Sequence, residues 1–170
     1  QIGLYLGLII GIIGGAGFFL GGYIADHLGQ SGHRRALSFI GLTVLLTAIP
    51  SAAMFLSDTW QVALLLFLVP AATAKVSLAP VLSQAQGLVS LRMRAMASAL
   101  ALLIINVIGL ALGPLLTGVL SDVLEGRFAE ESMRYSLLIV TSVILPWAGW
   151  HYIRAGRTID ADLQRATKHD

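Results

Sequence analysis

Long stretches without a charged residue alternate along this chain with short polar breaks. Charge-free runs occupy 1–25, 36–57, 59–74 with 76–91, 95–121 and 135–150. Each block reaches or approaches the roughly 20 residues that a helix needs to cross a bilayer. The pattern predicts an all-α, polytopic membrane protein with five transmembrane helices, at about 2–25, 36–57, 59–86, 95–121 and 135–153. Residues 1–153 would form the membrane bundle and 154–170 a polar tail. The third block is too long for one straight span and too short for two, which predicts one helix kinked near Pro70 or Pro80. The first block lacks the basic leader and short apolar region of a secretory signal, and reads as a span. The chain opens on Gln1 already inside apolar sequence, so a missing upstream part is expected.

Composition agrees with a lipid solvent. Hydrophobic residues make up 56% and charged residues 12%, too little polar surface to cover a soluble core of this size. The net charge is only +2, and the basic residues sit between apolar spans, so their placement follows topology and not a nucleic-acid partner. Eight of the 11 basic residues (Arg34, Arg35, Arg92, Arg94, Arg154, Arg157, Arg165, Lys168) fall on one side of the predicted layout. By the positive-inside rule that side is cytoplasmic, which puts the C-terminus inside; the plasma (inner) membrane is the expected location.

Within the spans few residues carry chemistry. Gly3, Gly7, Gly11 and Gly15 recur at helical spacing in the first and, with Gly14, Gly17, Gly21 and Gly22 added, give one broad face almost without side chains. Such a face packs helices closely in lipid, or lets one slide on another. Lys75 is the one formal charge inside a span, at an insertion cost of roughly 2.5–3.5 kcal/mol at the bilayer centre. On an ideal helix it shares a stripe with Gln61 and suits a water-filled cavity; the alternative is that it snorkels to the headgroups. Asn106 suits an interhelical hydrogen bond of roughly 0.6–2 kcal/mol, or the lining of a cavity. Gly109, Gly113, Pro114 and Gly118 follow it, and Pro114 predicts a bend. Trp147, Trp150, His151 and Tyr152 before Arg154 read as an interface anchor.

Catalytic signatures are lacking. The sequence has no H-E-x-x-H, G-x-S-x-G or Walker pattern and no Cys, and its four histidines (27, 33, 151, 169) lie in predicted loops, at an interface or in the tail. An enzyme reading has no residues to rest on, and no cofactor or metal is expected.

The first polar break reads Gly22-Tyr-Ile-Ala-Asp26-His27-Leu-Gly29 and runs on through Gln30-Ser-Gly-His33 into Arg34-Arg35. It resembles the G-x-x-x-D-x-x-G-x-x-R/K signature of the major facilitator superfamily. It departs at His27, where the family often has Arg, and in the four residues before the basic pair. A second run, Arg92-Met-Arg94-Ala-Met-Ala-Ser98 through Asn106, Gly109, Gly113-Pro114 and Gly118 to Ser121-Asp122, is similar to the spinster-like branch, which shows R-A-x-A-S-A-L…N-x-I-G-x-x-x-G-P-x-x-x-G-x-x-S-D at this place. The resemblance implies helices eight to twelve of a twelve-helix transporter whose N-terminal half is the missing partner. It further implies alternating access to a midplane site, with Gly22, Asp26, Gly29, Arg34, Arg35 and Arg94 in the gating motifs and Lys75, Gln61 and Asn106 as cavity candidates. The implied substrate is a small organic, anionic or lipid-like solute. Protons are the candidate coupling ion, and any coupling carboxylate would belong to the missing half. A drug or metabolite exporter of another branch and a non-transporting membrane scaffold remain as alternatives.

Overall fold

The computed structural model describes residues 2–30 and 32–166, so Gln1, Lys168 and His169 of the readings above lie outside the described residues. All the described elements are helical. The chain runs through α1 (Ile2–Leu8), a π-helical turn (Ile9–Ile13), α2 (Gly14–Gly29), α3 (His33–Leu56), α4 (Trp60–Thr73) and α5 (Leu78–Gly87). It continues through α6 (Arg94–Asn106), a second π-helical segment (Val107–Leu112), α7 (Gly113–Phe128), α8 (Ser132–Ala155) and α9 (Ile159–Ala166).

Among the described residues four helical stretches are long and apolar enough to cross a membrane: Gly3–Gly29, His33–Leu56, Trp60–Gly87 and Leu91–Ala155. The sequence predicts five. The difference lies in the last stretch, 65 residues long, in which helical bonding passes almost without a gap from α6 to α8. The chain nevertheless turns back within it, at Ala129, whose φ is 48°. Beyond the turn α8 lies along α7, with the Phe128 and Tyr135 rings 4.2 Å apart and the buried Ser121 and Ser132 hydroxyls sharing a 3.0 Å hydrogen bond.

Proline chemistry places the interruptions. Pro80 has no N–H for the Val76 carbonyl and its ring crowds that oxygen, and α4 accordingly stops at Thr73 and turns through 74–77 before α5 resumes. Pro70 sits inside α4 without ending it. Of the two predicted kink sites, the break belongs to Pro80. Pro114 follows directly on the π-helical segment Val107–Leu112, so its missing N–H falls inside a continuous helical run, at the place where the run changes from π- to α-helical bonding.

Packing centres on α3, which lies against α8, α4 and α2. Its crossing with α8 is set by Gly41 and Gly149: a Cβ on either would stand 2.7 Å from the carbonyl oxygen of the other. Helix α2 approaches the α4–α5 join in the same way, Gly17 against the Ala72 carbonyl and Gly21 against Val76. A small apolar cluster of Leu37, Ile40 and Ile159, flanked by Phe39, Val44, Tyr152 and Leu163, closes one end of the bundle. Most other large apolar side chains face outward, Leu110 at 74% exposure among them, as a lipid-facing surface requires.

Candidate functional site

The polar residues gather at two ends of the bundle. At the first, α2 gives way to α3 through Gly29 and Gly32; Gly32 donates its N–H to the Gly29 carbonyl at 3.0 Å and takes φ 120°, a conformation open to glycine. Asp26, in the last turn of α2, lines a polar cleft of about 170 Å³ with His33 of α3 and with Pro80, Ser83 and Gln84 of α5. His33 is held from the tail: its backbone N–H donates to Asp160 Oδ1 at 3.1 Å, and its Nδ1 lies 3.1 Å from the same oxygen. Arg34 and Arg35 are exposed on the first turn of α3, and Arg94 is exposed at the start of α6. Among the described residues, Asp26, Arg34, Arg35, Arg94 and Lys75 form no ion pair with one another or with any other side chain. The structure thus brings Asp26 and Gly29 into one cleft, with Arg34 and Arg35 exposed next to its lining residue His33.

At the opposite end Arg134, near the start of α8, reaches three acceptors. Its Nε donates to the Phe55 carbonyl in the last turn of α3, and its two terminal nitrogens meet Glu131 and Asp58, each at 3.2 Å.

The three cavity candidates are not brought together. Lys75 is exposed in the turn that separates α4 from α5, so the regular helix assumed for its stripe with Gln61 is interrupted at that point. Gln61 is exposed in the first turn of α4. Asn106 is exposed, and its Nδ2 donates to the Leu102 carbonyl of its own helix at 2.7 Å in place of an interhelical partner. A groove of about 420 Å³ instead opens between α3, α4 and α8. Its polar atoms are hydroxyls: Thr47, Ser51, Thr73, Ser77 and Thr141 line it, with the Thr47 and Thr73 oxygens 2.9 Å apart.

The glycines expected to pack also stand elsewhere. Gly3, Gly7, Gly11, Gly15, Gly22, Gly109, Gly113 and Gly118 have nothing within 4 Å of a Cβ built on them. The close approaches fall on Gly17 and Gly21 of the same glycine-rich span and on Gly41, Gly87, Gly149 and Gly156. Sequence reading missed Asp160, Arg134 and the Gly41–Gly149 pair. For Asp160 a signal existed: His33-Arg34-Arg35 opens a helix with three basic residues and no acid, which calls for a carboxylate from elsewhere. Among the described residues no group of three His, Asp or Glu side chains is assembled that could hold a metal ion.

Comparison with known proteins gives one informative similarity. The chain is 30% identical over 159 residues to an MFS-type efflux pump of Mycolicibacterium smegmatis, across 92% of this chain and 37% of that protein. That similarity supports membership of the major facilitator superfamily. The chain spans little more than a third of this relative's length. No family model matches, and no solved structure matches. The Asp26 end of the cleft falls in the stretch whose residues carry the resemblance, and the outward apolar surface suits a bilayer.

Proposed function

We propose that this chain is helices eight to twelve of a secondary active transporter that moves an amphipathic or anionic organic solute across the plasma membrane by alternating access. Its C-terminus would be cytoplasmic and its working partner the N-terminal half of the same transporter. The similarity to an efflux pump over nearly the whole chain carries this reading. Asp26 with Arg34 and Arg35 would form one side of a cytoplasmic gate: these groups stand at a helix join, free of partners within the described chain, and are available to a helix end opposite. A carboxylate at a helix N-terminus contributes about 0.3–1 kcal/mol, enough to bias a gate without freezing it. Lys75, exposed at the α4–α5 break, would meet the anionic group of the solute. The spinster-like assignment rests on the Arg94 to Asp122 run alone, and the efflux-pump relative favours a second reading, a drug or metabolite exporter of another branch.

The test is transport by the complete protein in proteoliposomes, with and without a pH gradient, using anionic lipids and cationic drugs as probes. Uptake of anionic lipids that falls about tenfold in Lys75→Ala supports the first reading. Drug transport indifferent to Lys75→Ala moves the choice to the second. Transport of neither probe, with the protein intact and inserted, leaves a scaffold that binds partner helices through its open glycine column.

A further inference from the structure

Helix α3 starts without a cap of its own. Gly32 precedes it and offers no side chain, and its first turn carries His33, Arg34 and Arg35 with no acid. The first amides of a helix need acceptors, and the positive end of the helix dipole repels cations, so this start is doubly unfavourable. Both defects are met from 127 residues further on, where Asp160 Oδ1 accepts the His33 backbone N–H and contacts the imidazole.

Asp160 is held in place for this. It follows Ile159, which is buried with Leu37 and Ile40 of α3, and one turn later Leu163 packs on the same cluster. Leu163 also reaches the end of α5, where Gly87 leaves just enough room: a Cβ there would stand 2.9 Å from Leu163 Cδ2. Gly156 lets the incoming chain pass close to the Arg34 carbonyl, 3.2 Å from where its Cβ would be. Helix α9 therefore touches the start of α3 and the end of α5 together. These are the two elements that form the Asp26 cleft with α2.

We propose that α9 is a latch on the charged end of the bundle and that Asp160 is a positioning residue, which caps α3 from outside and thereby fixes the first turn of α3 and the cleft beside it. Release of α9 would uncap α3 and loosen the cleft from two sides at once. The consequence for transport rests on the gate proposed above; the capping itself does not.

Hydrogen exchange by mass spectrometry, on the intact protein in lipid nanodiscs, tests the latch without any substrate. Asp160→Ala is expected to speed exchange in the 32–36 segment about five- to tenfold, the scale of a lost helix cap. Asp160→Asn, which keeps an acceptor oxygen, should restore most of the protection, and Asp162→Ala, whose partner is Arg165 within α9, should change nothing in that segment. Gly87→Trp should displace α9 through Leu163 and reproduce the effect of Asp160→Ala with Asp160 still present. Unchanged protection at α3–α8 contacts verifies folding in every variant. Exchange at 32–36 that is untouched by Asp160→Ala, raised equally by Asp162→Ala, or not rescued by Asn overturns the proposal. Since no substrate is involved, the latch and the transporter reading fail separately.

Discussion

Gly41 and Gly149 meet back to back where α3 crosses α8, each leaving its carbonyl oxygen 2.7 Å from the place the other's Cβ would take. In lipid there is little hydrophobic drive between helices, so contact must come from backbones close enough for dispersion to act. A methyl at either position separates the two helices along the most extensive contact in the bundle. Gly41→Ala and Gly149→Ala are each expected to destabilise by about 1–3 kcal/mol, the usual cost of overpacking. Gly7→Ala, with open space around it, should be neutral or stabilising by up to about 1 kcal/mol through helix propensity. Thermal unfolding of the purified protein in detergent separates the two outcomes; equal shifts for all three variants would remove the Gly41–Gly149 crossing from the account.

Arg134 ties the last turn of α3 to the start of α8 through the Phe55 carbonyl, with Asp58 and Glu131 as further acceptors. Asp58 is almost fully exposed, so its share of the stabilisation is small. The backbone contact is the stronger one, because a guanidinium satisfies a carbonyl that the helix end leaves without an intrahelical donor. Arg134→Ala should cost about 1–2 kcal/mol, Arg134→Lys nearly as much because the fork is lost, and Asp58→Asn under about 0.5 kcal/mol. Unfolding midpoints for the three variants check this ranking, and a large loss in Asp58→Asn would reverse it.

Pro80 withholds a donor from the Val76 carbonyl and breaks the third membrane stretch at 74–77. In Pro80→Ala the new N–H can bond that carbonyl, so α4 and α5 should merge. Spin labels placed at 70 and 84, in a chain with no native Cys to confuse the labelling, would then report a longer and narrower distance distribution. An unchanged distribution would assign the break to some other cause. Lys75 sits inside the broken segment, so the same variant should also alter its exposure.

Much of the fold is legible from charge spacing alone. Spans end where charges begin because a charge in hydrocarbon is costly, and that local rule places α3 and the joined α4–α5 stretch to within a few residues. The contacts that tie α3 to α8 and α9 are not local. Arg134 meets Asp58 76 positions away, and His33 meets Asp160 127 positions away; no spacing within one helix contains such pairs. Lys75 is a different case. The ideal-helix stripe that pairs it with Gln61 needs regular turns as far as Lys75, and α4 gives way after Thr73 to the 74–77 turn that contains it.

The π-helical turn at Ile9–Ile13 has a further effect on how the glycines of the first membrane stretch divide. An extra residue in one turn of helix is a phase error: everything after it is rotated by about 100° against a count that keeps regular steps. Gly3 and Gly7 fall before that slip, Gly11 lies within it, and Gly17 and Gly21 fall after it. One continuous column in the sequence is thereby split into two half-columns with different headings, the later one turned inward to Ala72 and Val76 and the earlier one left facing out. Deleting a single residue from 9–13 would bring the halves back into step and swing one of them off its target, so this stretch should tolerate substitutions far better than changes of length.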